Sequence, residues 1–246
     1  MERICTPKRF DLYRPLYRYM PLTYFLKLLK TNMFYVAYRK TFKDALESQL
    51  DIKLQFGFHA VGNNTQPPDK SHIQEDTNRI TEKSKKHREF AELPTSCWTW
   101  QKIENILMWE CYAQRIGVRI ESDANSIAAS IDCNGYDCMC ADIIYERDSS
   151  CNSAEDNLFL KHPAYCDERE TRFYFGKIDE NNFNISPLAE QGQKQESVEF
   201  PVNTKELIKG VTLSPFINRY MAKELIYMLK EMYDIEAKES SILLKD

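Results

Sequence analysis

Glycine is scarce, at 7 of 246 residues, and neither G-x-x-x-x-G-K nor G-x-G-x-x-G occurs. That excludes the two common glycine-rich loops that cradle phosphates. No apolar run reaches the roughly 18 residues a membrane helix needs. The opening stretch MERICTPKRFDLYRP lacks the apolar core of a secretory leader. The expectation is therefore a cytoplasmic protein with no membrane partner. In that compartment the 8 cysteines are expected as free thiols. Cys133, Cys138 and Cys140 cluster in IDCNGYDCMC, but their spacing is not that of paired zinc knuckles and no histidine adjoins them. Buried or half-exposed thiols are expected there, and no metal. The formal charge of −4, from 33 basic and 37 acidic residues, gives no strong nucleic-acid signature.

What is present is ordinary for a globular chain: 43% hydrophobic and 28% charged residues, with length enough for a large core. The pattern predicts one α+β domain over 1–246, a mixed and mostly antiparallel sheet with packed helices. A polar helical insertion is expected at about 60–92, where Gly62-Asn63-Asn64 and Pro67-Pro68 precede a solvated helix from Ile73 to Phe90. Acidic residues interleave the basic run Lys83–Arg88, so a solvated face outweighs phosphate contact there.

The chain is organised around Pro94–Glu121, which holds all 3 tryptophans. Ser96–Trp100 reads as a strand. Gln101–Gln114 reads as a helix whose inner face carries Ile103, Ile106 and Leu107 at i, i+3 and i+4. Gly117 is the expected stop signal, and Val118 and Ile120 alternate with Arg119 and Glu121 as a half-buried strand. Trp109, beside the apolar row, is either a core anchor or a ligand-stacking ring.

Along the rest of the chain, Tyr17–Tyr19 reads as a strand and Thr23–Lys30 as an amphipathic helix ending at a left-handed Asn32. Met33–Tyr38 is a buried strand, and a second helix is expected from Phe42 to Leu50. Asp123 caps a helix running to Ser130. Met139–Glu146, Val198–Val202 and Ile208–Leu213 are strand-like. Ser214 and Pro215 read as the start of a helical element, and Met221–Tyr233 as the clearest helix of the chain, with Leu225, Met228, Leu229 and Met232 as its buried stripe. The segment 181–195 is expected as a loop.

The most chemical stretch is Tyr165–Ile178. At strand period Glu168, Glu170, Arg172 and Tyr174 share one face. Two explanations stand side by side. One is a charge ladder on a solvated sheet. The other is a polar site in which Arg172 holds one carboxylate and leaves the other to act.

Taken together, YRYMPLTYFLKLL, NMFYVAYRKTFKDALE, SCWTW, ILMWECYAQRIGVRIE, DERETRF and IKGVTLSPF resemble a bacterial domain-of-unknown-function family related to AbiGi-type abortive-infection proteins. Leu107, Met108, Trp109, Tyr112, Ala113 and Gly117 fit its L-M-W-x-x-Y-A and glycine positions. Glu168, Glu170 and Arg172 fit its E-x-E-x-R. The family's F-N-D-P-F-E is replaced by Phe42-Lys43-Asp44-Ala45-Leu46-Glu47, and its C-F-S by Cys97-Trp98-Thr99. The resemblance implies a role in phage defence or a toxin-like activity against a macromolecular target that it does not name.

The order of polar groups is also similar to that of ADP-ribosyltransferases, which carry Arg or His on an early strand, Ser or Thr on a middle one and E-x-E on a late one. Here Arg18, then Ser96 or Thr99, then Glu168 and Glu170 follow that order. The similarity implies NAD as cofactor, with Arg18, Thr99, Glu168 and Glu170 catalytic and Tyr19, Ser96, Trp98 and Arg172 lining the nucleotide. It requires Arg18, Thr99 and Glu170 to converge on one pocket. The alternatives are a non-catalytic interaction or regulatory module, in which the charged groups pair with each other, and, ranked last, a metal-dependent nuclease.

Overall fold

A computed structural model gives the architecture and describes residues 4–6, 9–42, 89–133, 135–145, 158–179, 184–187 and 196–244. Its strands are β1 (Ile4–Cys5), β2 (Pro15–Pro21), β3 (Met33–Tyr38), β4 (Pro94–Thr99), β5 (Gly117–Asp123), β6 (Asp137–Asp142), β7 (Ile144–Tyr145), β8 (Leu160–Lys161), β9 (Glu170–Asp179), β10 (Asn184–Ser186), β11 (Ser197–Pro201), β12 (Gly210–Leu213) and β13 (Ala237–Glu239). Helices α1 (Leu22–Thr31), α2 (Ile106–Cys111), α3 (Ala124–Ser130), α4 (Thr204–Leu207) and α5 (Arg219–Tyr233) accompany them. The expected helix from Phe42, the loop near Gly62 and the charged run Lys83–Arg88 lie outside the described residues, apart from Phe42 itself and the last turn at 89–91.

The sheet is mixed and mostly antiparallel, as the alternating patterns predict. Its order is β1-β6-β9-β4-β2-β5-β12-β13, with parallel pairing at β1–β6 and β12–β13. The sheet forks at β4. One end of β4 pairs with β3 through Ala37↔Thr95, and the other with β2 through Tyr17↔Thr99. β11 extends the β3 arm, and β10 and β6 share one edge of β9. β7 and β8 form a separate two-stranded parallel ribbon.

Successive strand residues point to opposite faces, so this register sorts every side chain onto one side or the other. One face is the main core. Leu16, Met20, Trp98, Ile120, Phe173 and Phe175 meet Phe25, Leu28 and Leu29 of α1, Ile127 of α3 and Leu229 of α5. The opposite face carries two smaller apolar clusters. Phe90, Leu93, Met139, Leu158, Tyr174 and Ile185 form one, and Tyr19, Trp109 and Ala113 form the other. Between them lies the polar part of that face.

Several local signals act as the sequence predicts. Asn32 closes α1 in the left-handed region with φ 51°. Asp123 caps α3 by accepting from the Ser126 N–H at 2.7 Å, and it also pairs with Lys209. Cys133, Cys138 and Cys140 are buried thiols. Burial raises all three, Cys133 to about 12, so none is poised as a thiolate.

Others do not. The helix expected over Gln101–Gln114 shrinks to Ile106–Cys111, preceded by an irregular segment at 101–105. Its expected inner face points outward: Ile103 is 77% exposed and Leu107 62%, while Trp109 is the fully buried residue. The physical reason is area. One indole packed edge-on against Tyr19, centroids 4.8 Å apart, buries more apolar surface than the aliphatic row could on so short a helix. The last helix, Arg219–Tyr233, lies close to the expected Met221–Tyr233, but Ser214 does not cap it. Asn218 does, accepting from the Met221 N–H at 2.9 Å, and Met232 at the helix end is 68% exposed instead of completing the buried stripe. The loop expected at 181–195 contains strand β10.

Gly117 is the first residue of β5, and not the end of a helix. A Cβ there would overlap the Met20 carbonyl and sit 2.7 Å from the Ala113 carbonyl oxygen. Gly117→Ala is therefore expected to destabilise the protein by about 1–3 kcal/mol, because backbone and not a flexible side chain must yield. Urea unfolding checks this, and an unchanged midpoint would mean that β5 and the residues after α2 separate freely.

Candidate functional site

The polar centre is built from the register of β2, β4, β5 and β9. Glu170 lies opposite Thr99, Thr99 opposite Tyr17, and Tyr17 opposite Glu121. A carboxylate, a hydroxyl, a phenol and a second carboxylate thus form one row across four neighbouring strands. In the next row Arg172 lies opposite Cys97.

Arg172 is completely buried and holds Glu170 with a two-pronged grip. Its Nε donates to Oε1 at 2.9 Å and its Nη2 to Oε2 at 2.8 Å. Lys161 of β8 adds a third donor to Glu170 Oε2 at 3.3 Å, and donates to Glu168 Oε2 at 2.6 Å. Burial alone would raise the Glu170 carboxyl, but the Arg172 and Lys161 charges outweigh it and bring its pKa from 4.5 to about 2. Glu170 is therefore a fixed anion and not a proton carrier near neutrality. The ammonium of Lys161 also lies 4.8 Å from the Tyr165 ring centroid.

Glu168 is placed differently from the sequence expectation. It ends a 3-10 helix, Pro163–Glu168, and Arg169 then turns through φ 45° before β9 begins. Strand alternation does not bring Glu168 beside Glu170; Lys161 does, bridging both. Tyr112, just past α2, donates its hydroxyl to Glu168 Oε1 at 2.6 Å. Tyr145 accepts from the Glu170 backbone N–H at 2.8 Å. Burial first, with the carboxylates adding to it, pushes both phenols well above 10, so they are hydrogen-bonding groups and not bases. Glu168 keeps more solvent access than Lys161, Glu170 or Arg172. It is the more accessible of the two carboxylates on Lys161.

The expected convergence of Arg18, Thr99 and Glu170 does not occur. Arg18 neighbours Tyr17 in β2 and so points to the other side of the sheet. There its Nη1 donates to Ser96 Oγ at 3.1 Å, and the guanidinium lies 5.0 Å from the Phe34 ring centroid. Its Nη2 reaches the Tyr35 carbonyl oxygen at 3.5 Å, across the fork between β2 and β3. Burial lowers the Arg18 pKa. Trp98 shares that face, donates its Nε1–H to Ser96 Oγ at 3.0 Å, and packs edge-on against Phe173. Arg18, Ser96 and Trp98 thus belong to the core side. Tyr19 is on the polar face, but Trp109 covers its ring. Of the residues proposed from sequence, Thr99, Glu168, Glu170 and Arg172 come together.

Sequence reasoning missed Lys161, Tyr112, Tyr145 and Tyr17. Tyr112 and Tyr17 were visible in motif segments, but nothing local marked their faces. Lys161 sits in KHP with no pattern around it, and only the β7–β8 ribbon delivers it. Among the described residues no group of three or more His, Cys, Asp or Glu side chains is arranged to hold a metal ion.

No helix among the described residues is long and apolar enough to cross a membrane. Comparison with protein-family models, curated proteins and solved structures finds no match for the chain.

Proposed function

We propose that the protein is an NAD-dependent transferase of the ADP-ribosyl type, working from the face that carries Tyr17, Thr99, Glu168 and Glu170. One observation carries this reading. Residues of three separate motif segments, Thr99, Tyr112 and the Glu168–Glu170–Arg172 set, meet in a single polar cluster between two apolar ones. A buried ionic cluster of this kind is a candidate for function, since apolar packing would serve stability at least as well.

A nicotinamide dinucleotide would supply a ribose–nicotinamide bond whose breaking leaves positive charge on the sugar. Glu168 is the group placed to face that charge, and Tyr112 and Lys161 fix the orientation of its carboxylate. Glu170, gripped by Arg172, sets the position of Lys161 and adds a second fixed negative charge. Thr99 and Tyr17 line the same row. Arg18, Ser96 and Trp98 hold the core side and take no part, so the three-residue convergence that the similarity requires is not met and this reading rests on Thr99, Glu168 and Glu170 alone. The resemblance to abortive-infection proteins supports a role in bacterial phage defence, directed at a macromolecular target.

Glu168→Gln is expected to lower nicotinamide release from NAD on the order of 100-fold, while Arg18→Met retains it. Nicotinamide release by purified protein, alone and with cell extract as target, measures this. Absence of release under every condition, or equal release by Glu168→Gln, would sink the proposal.

A second reading has its own observation. Glu168, Glu170, Lys161 and Arg172 also satisfy one another, as a purely architectural network would. A non-catalytic defence module is then the function, and Glu168→Gln would change stability and leave partner binding alone.

A further inference from the structure

Arg119 is a buried cation of this face that no carboxylate grips directly, although the Glu104 charge is felt there. It is 6% exposed, yet among the described residues no acid forms an ion pair with it. Its Nη1 donates to the Lys102 carbonyl oxygen at 3.0 Å, and its Nε has no partner. The guanidinium lies 4.3 Å from the Tyr17 ring centroid and 5.9 Å from that of Tyr19. Its acceptors are neutral, the Lys102 carbonyl and the Tyr19 hydroxyl, whereas Arg172 and Lys161 on the same face are held by paired carboxylates. The nearest acids, Glu104 and Glu121, are engaged elsewhere or held apart. Glu104 accepts from Ser240 Oγ at 2.5 Å, from the Ser241 N–H at 2.9 Å and Oγ at 2.8 Å, and from Trp109 Nε1 at 3.2 Å. Glu121 is two residues further along β5, in the Tyr17 row.

The register extends Arg119 into a row. Arg119 lies opposite Thr212 of β12, and Thr212 opposite Lys238 of β13. Two cations thus flank a hydroxyl over three adjacent strands on the polar face, at roughly 4.8 Å per strand. Lys238 is exposed. The segment 101–105 closes over the Arg119 end. It is tied by the Gln101 N–H to Thr99 Oγ1 at 3.1 Å, by the Asn105 N–H to Tyr19 OH at 3.3 Å, and by Arg119 itself. Ile103 stands in solvent at its crest.

We propose that Arg119, Thr212 and Lys238 form a phosphate-binding row for the diphosphate of a nucleotide, which the 101–105 segment covers in the free protein. The ligand's phosphate oxygens take the place of the Lys102 carbonyl on the Arg119 fork, a bidentate partner for which a guanidinium is better shaped than an ammonium. Three strand spacings across the sheet and two residues along it, together roughly 16 Å at the backbone, separate Arg119 from Glu170, within the length of an extended dinucleotide. The inference rests on the transferase reading for its ligand class, and it replaces Arg18 with Arg119 as the residue that holds the phosphates.

The test is calorimetric titration of ADP and of inorganic pyrophosphate into the full-length protein, with adenosine as the uncharged probe. The expected result is binding of ADP and pyrophosphate, none of adenosine, at least tenfold weaker ADP binding in Arg119→Met, and several-fold weaker binding in Lys238→Met. Absence of ADP and pyrophosphate binding, or equal ADP affinity in both variants, overturns the proposal. Should Arg119→Met fail to fold, the exposed Lys238→Met decides alone, and unchanged affinity there overturns it. Loss of ADP affinity in the variants without any nicotinamide release by the parent leaves the phosphate row standing and removes the transferase. Nicotinamide release with unchanged ADP affinity in the variants does the reverse.

Discussion

Glu170→Gln is expected to destabilise the protein by about 3–5 kcal/mol, lowering its melting temperature by roughly 10 °C. The substitution keeps the shape and removes the charge. It leaves the Arg172 guanidinium completely buried beside a neutral amide. The cost is that of removing the carboxylate charge that both prongs of a buried guanidinium grip, not of one lost hydrogen bond. The dependence on pH gives the same interaction a second readout. The Glu170 carboxyl has a pKa of about 2 in the folded protein, against 4.5 for an ordinary glutamate. A group whose folded pKa is depressed contributes stability above its unfolded pKa and loses it as pH falls through the folded one. The contribution, about 3 kcal/mol, is therefore present above about pH 5 and fades toward pH 2. Chemical unfolding of parent and variant over that range should show the gap between them closing as the solution is acidified. A gap that stays constant would mean that Glu170 titrates normally and that the Arg172 grip is weak.

Trp109→Ala is expected to cost about 3–5 kcal/mol, and Leu107→Ala less than about 0.5 kcal/mol, although Leu107 is the residue that helical periodicity nominates for the core. Trp109 is the buried residue of α2, edge-on to Tyr19, with its Nε1–H on Glu104. Removing the indole opens a cavity and also loosens the link from α2 to the C-terminal serines on Glu104. Tyr112 follows one turn later, so its hydroxyl should lose its place on Glu168. On the transferase proposal, loss of nicotinamide release should accompany loss of stability in Trp109→Ala and be absent in Leu107→Ala. Denaturant midpoints for the two variants provide the check. If Leu107→Ala proved the more damaging, the orientation of α2 described above would be wrong.

The two variants also show where reading the sequence worked and where it stopped. Long periodic stretches were legible. LTYFLKLLKT could be read as a helix with an apolar face and an asparagine stop, and MFYVAY as a strand, because these patterns are set by neighbours three, four or two residues away. The short helix α2 was not legible in the same way. With fewer than two turns its orientation is decided by whichever single side chain buries the most area, and Trp109 outweighed three aliphatic residues. The site followed the same division. Alternation correctly grouped Glu170 with Arg172 on one face of β9. It assigned Glu168 to that strand wrongly, because the left-handed turn at Arg169 ends the 3-10 helix one residue later.

Sequence alone determined the class of fold, the absence of glycine-rich phosphate loops, and the presence of an acid–acid–arginine run that has to find partners. Which partners it finds was decided by tertiary structure. The single register match Tyr17↔Thr99 gives Tyr17 to the polar face and Arg18 to the core face, and shifting that pairing by one residue would have reversed them. Lys161 enters from a separate two-stranded ribbon, and Arg119 has no direct ion pair among the described residues because Glu104 turns its oxygens to the C-terminal serines. Pairings between strands far apart in the chain carry no local signature, and it is they that determine which charges meet.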